Sequence, residues 1–166
     1  MSADSGPEVH DMIKPLSWLL GKWKGDGVGK YPTIKDFTYT EELTFSHVGQ
    51  PNIQFSFFSR NSKTMKPMHH ELGFIRFKPG TSHCALLIAH NFGVSEVEEG
   101  EFTDTEIRTE SHTVGLLSFG KPPETKKIKR VFSKTGDDSL EQVVFMETAN
   151  TPMTEHLRVT YKKVTL

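Results

Sequence analysis

Residues 37–47 read Phe37-Thr-Tyr-Thr-Glu-Glu-Leu-Thr-Phe-Ser-His47, with Phe37, Tyr39, Leu43, Phe45 and His47 on odd positions and Thr38, Thr40, Glu42, Thr44 and Ser46 on even ones. This is the spacing of a β-strand with one buried and one wetted face. Glu41 alone breaks it, a charge in the apolar phase. Gly49-Gln-Pro51 punctuates the chain, and Ile53, Phe55 and Phe57 then resume one parity, so a hairpin is expected.

Further strands are expected at 68–77, 83–90, 94–102, 106–111, 113–119, 127–133, 140–148 and 157–164. The turn signals between them are Lys78-Pro-Gly80, Asn91-Phe-Gly93, Thr103-Asp104, Gly120-Lys-Pro-Pro123 and Gly136-Asp-Asp138. About ten strands with almost no helix make the chain all-β. Closure into an up-and-down barrel removes exposed strand edges and leaves room inside for a ligand. A two-sheet sandwich is the competing architecture. Pro15-Leu-Ser-Trp-Leu-Leu20 suits a short helical turn at the N-terminal end. Residues 1–14 are polar and read as a flexible lead, leaving 15–166 as the barrel domain.

The 166 residues suffice for one domain. Twenty Lys and Arg against 21 Asp and Glu leave a formal charge of −1, which offers no general attraction to nucleic acid or anionic lipid. Cys84 is the only cysteine, so neither an intrachain disulfide nor a thiolate-pair zinc site is expected. The N-terminal residues lack a signal-peptide pattern, and no run approaches the roughly 18 apolar residues of a membrane span. A cytoplasmic or nuclear location is expected.

Gly21-Lys-Trp-Lys-Gly-Asp-Gly27 is a G-x-W-x-G-x-G motif without the Lys-Ser/Thr of a phosphate-binding loop. Its expected role is architectural: Trp23 plugs one barrel end, with an Arg over its indole, while Gly21, Gly25 and Gly27 let backbones approach closely. Eight histidines invite a search for a metal or cofactor. His69 and His70 are strand neighbours and point to opposite faces, so they do not share one metal. His47, His83, His90 and His112 show no close ligand spacing. His156 stands at the rim of the last strand, but Leu157, Val159 and Tyr161 read as its buried phase. Either the chain after Pro152 bends or His156 faces out. Cys84 lies in the apolar run 84–88, as a buried, inert thiol with a raised pKa. Glu96-Val-Glu-Glu-Gly-Glu101 reads as a solvated edge strand.

Several separated motifs nevertheless resemble one family. They are residues 15–23 with the complete glycine motif, Tyr31-Pro-Thr-Ile34, Phe45-Ser-His-Val-Gly-Gln-Pro51, Pro67-Met-His-His-Glu-Leu-Gly-Phe-Ile-Arg76 and Pro152-Met-Thr-Glu-His-Leu157. In this order they look like a nitrobindin, especially the vertebrate form and the haem-binding domain that ends a THAP zinc-finger protein. The resemblance implies a ten-stranded antiparallel barrel holding ferric haem b. It makes His156 the axial iron ligand, Thr33 a haem contact and Trp23 scaffold. It also implies isomerisation of peroxynitrite to nitrate, and binding of nitric oxide. No zinc finger accompanies the barrel, so DNA binding does not transfer, and small molecules are the expected partners. A homodimer is one option for the oligomeric state. The alternative function is a module that binds haem, nitric oxide or a small apolar ligand, or senses through it, without turnover.

Overall fold

The computed structural model describes residues 6–165. The first five residues of the expected lead lie outside the described residues. A 3₁₀ helix, Asp11–Leu19, begins before Pro15, so the expected boundary at residue 15 moves back. A 3₁₀ helix repeats every three residues. Ile13, Leu16 and Leu19 accordingly lie on one face, and all three are fully buried. The helix has a kink at Leu16, and the side chain of His10 caps its start by accepting from the Met12 N–H at 3.2 Å.

Ten strands follow: β1 (Gly21–Tyr31), β2 (Ile34–Ser46), β3 (Asn52–Asn61), β4 (Pro67–Phe77), β5 (His83–His90), β6 (Val94–Phe102), β7 (Glu106–Leu116), β8 (Thr125–Gly136), β9 (Ser139–Thr148) and β10 (Thr154–Lys163). Each pairs antiparallel with its chain neighbour, and β1 also pairs with β10, closing the barrel. The sandwich is thereby excluded. The strand count is as expected, but two strands differ. β1 is a continuous strand although Gly21 opens it and Gly25, Gly27 and Gly29 lie within it, and the two segments expected at 106–111 and 113–119 are one strand, β7. The closed ring also overturns the solvated edge at 96–101: β6 pairs on both sides, and Glu96 and Glu98 are buried.

The 3₁₀ helix closes one barrel end. Above it Trp23, Phe45, Ile53, Phe55, Phe57, Ile75, Phe77, Leu86, Ile107, Phe132 and Leu140 form a continuous apolar layer with Cys84. Phe55 and Phe57 stack at 4.6 Å, and Phe132 meets Phe45 and Phe57 edge-on. Trp23 is buried as expected and donates its indole N–H to the Leu19 carbonyl at 2.8 Å, tying plug to helix. The cation over its ring is Lys163, at 5.2 Å, and not an arginine. The Lys163 ammonium also donates to the Trp18 carbonyl at 2.9 Å.

Candidate functional site

At the opposite end of the barrel, β10 begins with an irregularity. Glu155 faces Phe145 and Leu157 faces Val144, so His156 is an extra residue without a partner on β9. A bulge of this kind re-aims a side chain and restarts the alternation. It resolves the conflict of parity: Leu157, Val159 and Tyr161 keep their inward phase, and His156 turns inward with them.

His156 Nδ1 lies 2.9 Å from the carbonyl oxygen of Lys30. A carbonyl only accepts, so Nδ1 carries the proton and Nε2 keeps its lone pair free. Tyr31 and Phe37 meet the imidazole edge-on, with ring centroids at 5.1 and 6.3 Å. Tyr31 is held by its hydroxyl, which donates to the Met146 carbonyl at 3.0 Å. Burial lowers the imidazole pKa, more than the Lys30 hydrogen bond raises it, so the ring is neutral at neutral pH. His156 is one wall of a cavity of about 380 Å³, lined on its apolar side by Phe37, Met68, Val144, Leu157 and Val159.

The glycine motif supports this wall. Trp23, Gly25, Gly27, Gly29 and Tyr31 share the inward face of β1. A Cβ at Gly27 would meet the Tyr39 ring at 2.7 Å, and one at Gly29 would meet the Phe37 ring at 2.1 Å. The missing side chains are the beds on which those two rings rest. Gly21, at the start of β1, has φ +114°, a conformation suited to glycine. Thr33 is exposed on the turn Pro32-Thr33 between β1 and β2, at the same end of the barrel but outside the residues that line the cavity.

Below the cavity lies a buried polar layer that sequence reasoning missed. The Arg130 guanidinium, 1% exposed, reaches both oxygens of Glu71 at 3.1 and 3.3 Å, Glu98 at 3.3 Å and the Gln142 side-chain carbonyl at 2.6 Å. The Gln142 amide donates to the Tyr161 hydroxyl at 2.7 Å and to Glu41 at 3.3 Å, and the Tyr161 hydroxyl donates to Glu41. Burial pushes the Glu41 carboxyl up to about 7, against the hydrogen bond from Tyr161. Burial also raises Glu71, but Arg130 and the hydrogen bonds from His69 and His90 outweigh it and hold that carboxyl well below its usual range. Burial and the neighbouring Glu96 push the Glu98 carboxyl well above its usual range despite the charge of Arg130, whereas Glu98, His90 and Arg130 together outweigh burial and hold Glu96 below it. Within this layer the Glu96 Oε1 atom has no hydrogen-bond partner among the described residues.

His69 and His70 do part, as alternation requires. His70 turns outward to the Ser56 hydroxyl at 3.1 Å, and His69 lines the cavity. His69 is brought against His90 of the next strand, with Nε2 and Nδ1 2.9 Å apart. His90 Nε2 lies 2.9 Å from Glu96. His83 and His112 sit outside the barrel, on either side of Glu99. Cys84 is buried, and burial pushes its thiol up to about 12, as expected of an inert cysteine.

The sequence model described as "THAP4-like, heme-binding beta-barrel domain" matches residues 12–163. This chain belongs to that family. The nitrobindin resemblance read from the motifs is thus borne out, and the chain is a haem-binding barrel domain. Over 161 residues it is 49% identical to the mouse protein named peroxynitrite isomerase THAP4 and 50% identical to the human one. Those alignments cover 96% of this chain but 28% of either relative, so the chain corresponds to little more than a quarter of their length. An Arabidopsis thaliana protein named peroxynitrite isomerase Rv2717c is 38% identical, with 95% of this chain and 92% of that one aligned. The crystal structure of Rv2717c from M. tuberculosis superposes with a TM-score of 0.86 at 32% identity, covering 95% of this chain and all of the other. The site fits the family's group. It offers a neutral imidazole with one nitrogen oriented by a carbonyl and the other free, in a cavity with one apolar side, which is what haem iron requires of a protein ligand.

Proposed function

We propose that this domain holds ferric haem b through His156 Nε2 and isomerises peroxynitrite to nitrate. The observation that carries this reading is the bulged His156 on the cavity wall, its Nδ1 proton committed to the Lys30 carbonyl, which leaves Nε2 as the free nitrogen. Ferric haem held there would supply a Lewis-acidic iron able to take an anionic oxygen or nitric oxide.

The chain's own residues perform the remaining tasks. The Lys30 carbonyl fixes the imidazole tautomer and its orientation, as second-shell partners do at metal sites. Tyr31 and Phe37 hold the imidazole plane, while Met68, Val144, Leu157 and Val159 give the cavity an apolar side that would exclude water from a bound haem. Thr33, on the rim beside this wall, is the residue we assign to contact the haem edge. The isomerisation conserves atoms and electrons, so the chain need supply no nucleophile, hydride or reductant. This agrees with a cavity whose only cysteine lies buried elsewhere.

His156→Ala tests the reading. The wild-type chain loaded with haemin should show a histidine-ligated Soret band and accelerate peroxynitrite decay to nitrate. The variant should lose both while its barrel, followed by far-UV circular dichroism, stays folded. A wild-type chain with no Soret change on haemin addition would overturn the haem reading. Haem binding without acceleration over H156A would leave the non-catalytic binding module.

A further inference from the structure

Across the cavity from His156 stand three side chains that the haem reading does not use. In the ring of ten strands β5 is five places from β10, so His90 lies diametrically opposite His156, with β4 beside it. His69 and Glu71 share the inward phase of β4, and Glu71 is the register partner of His90. Their donor atoms form a small triangle. His69 Nε2 is 2.9 Å from His90 Nδ1, and Glu71 Oε1 is 3.2 Å from each.

We propose that His69, Glu71 and His90 bind one divalent transition-metal ion, of the class that takes two imidazoles and a carboxylate. With metal–ligand bonds of about 2.1 Å, a tetrahedral ion spaces its ligand atoms about 3.4 Å apart and an octahedral one about 3.0 Å apart. The observed separations fall at or between those values, so the three atoms already occupy one face of a coordination polyhedron. Three protein ligands leave a position for water or a small anion, as in non-structural zinc sites and in two-histidine, one-carboxylate iron sites.

The surroundings match the needs of such a site. The Nε2 of His90 faces Glu96 at 2.9 Å and keeps its proton there, so Nδ1, which donates to Glu71 when no metal is bound, is the atom that would exchange its proton for the metal. A carboxylate behind a ligating histidine is the usual second partner of a bound metal. Arg130 grips both oxygens of Glu71 and fixes its rotamer, although its charge opposes a cation. Two carboxylates, Glu71 as a ligand and Glu96 behind His90, stand against that one guanidinium. His69 and Glu71 line the cavity and give an ion its way in.

The inference stands apart from the haem reading, because none of the three residues touches His156 Nε2 and the test uses no haem. The full chain, stripped with chelator, is titrated with Co²⁺ and followed by d–d absorption, then with Zn²⁺ by calorimetry. One equivalent should bind saturably, persist in H156A and in the double variant His83→Ala/His112→Ala, and disappear in His69→Ala. His69 is half exposed, so that variant leaves the core packing in place. Glu96→Gln should weaken the site about 10–100-fold without removing a ligand. Absence of saturable binding would overturn the proposal. So would binding that survives H69A and E96Q unchanged, that vanishes with His83 and His112 as adventitious surface capture, or that vanishes in H156A.

Discussion

A Cβ at Gly25 would stand 2.1 Å from the carbonyl oxygen of Thr160, whereas a Cβ at Gly29 would meet the ring of Phe37. The two obstacles differ in what can yield. The carbonyl belongs to the β1–β10 ladder that closes the barrel, where Gly25 faces Tyr161. The Phe37 ring is a side chain at the cavity edge and can swing aside. Gly25→Ala should therefore cost stability, about 3 kcal/mol or more, because strands must part. Gly29→Ala should cost about 1–2 kcal/mol, but move Phe37 against His156 and weaken haem. Urea unfolding and haemin titration of the two variants should thus rank them in opposite orders. Equal losses in both measurements would mean that Phe37 does not shape the haem wall.

The 3₁₀ helix and the rim bulges are the elements that make one end of the barrel closed and the other open. Leu16 is fully buried in the helix face that covers the apolar layer. Leu16→Ala should cost about 2–5 kcal/mol in urea unfolding. Haemin affinity should be unchanged, since the cavity lies at the far end. A parallel loss of haem affinity would show that the two ends are coupled. Elements were legible in the sequence where alternation was clean, as in β2, β3 and β5. β1 is not legible because glycines erase the hydrophobic signal on its inner face, and the break read at His112 is a bulge: Val97 faces Thr113 and Glu98 faces Ser111, so His112 has no partner on β6 while the ladder runs on either side. The direction of His156 was left open because a single bulge inverts parity, and no residue type announces it. The polar layer had a signal that went unread. Glu41 sits in phase with Tyr39 and Leu43, Arg130 with Ile128 and Phe132, and Glu71 with Ile75 and Phe77. A charge in the apolar phase of a strand marks an interior polar site. What such phase cannot tell is the register of a hairpin, so His69 and His90, 21 residues apart on neighbouring strands, looked unrelated.

In the whole molecule the interior is stratified into helix cap, apolar layer, charged layer and ligand cavity, and the charged layer makes stability depend on pH. Glu41 is faced by Tyr161 and Gln142 within hydrogen-bonding distance, by Glu71, and by the opposing charge of Arg130. Its carboxyl titrates at about 7 in the folded barrel against 4.5 in the reference state. Between those values the unfolded chain has released the proton that the folded chain still holds, so the unfolded state binds fewer protons and stability falls as pH rises. The contribution is fully present below pH 4.5, declines through the interval and is gone above about 7. Its size is on the order of 3 kcal/mol. Glu41→Gln retains the shape and the hydrogen-bonding capacity but cannot ionise. Haem-free, metal-free wild type should lose stability relative to E41Q as pH is raised from 4.5 to 7 in urea unfolding, and the gap should stay constant above that. A constant difference across the whole interval would mean that Glu41 titrates normally, and that the buried layer is hydrated enough to hold a third ionised carboxylate beside Glu71 and Glu96.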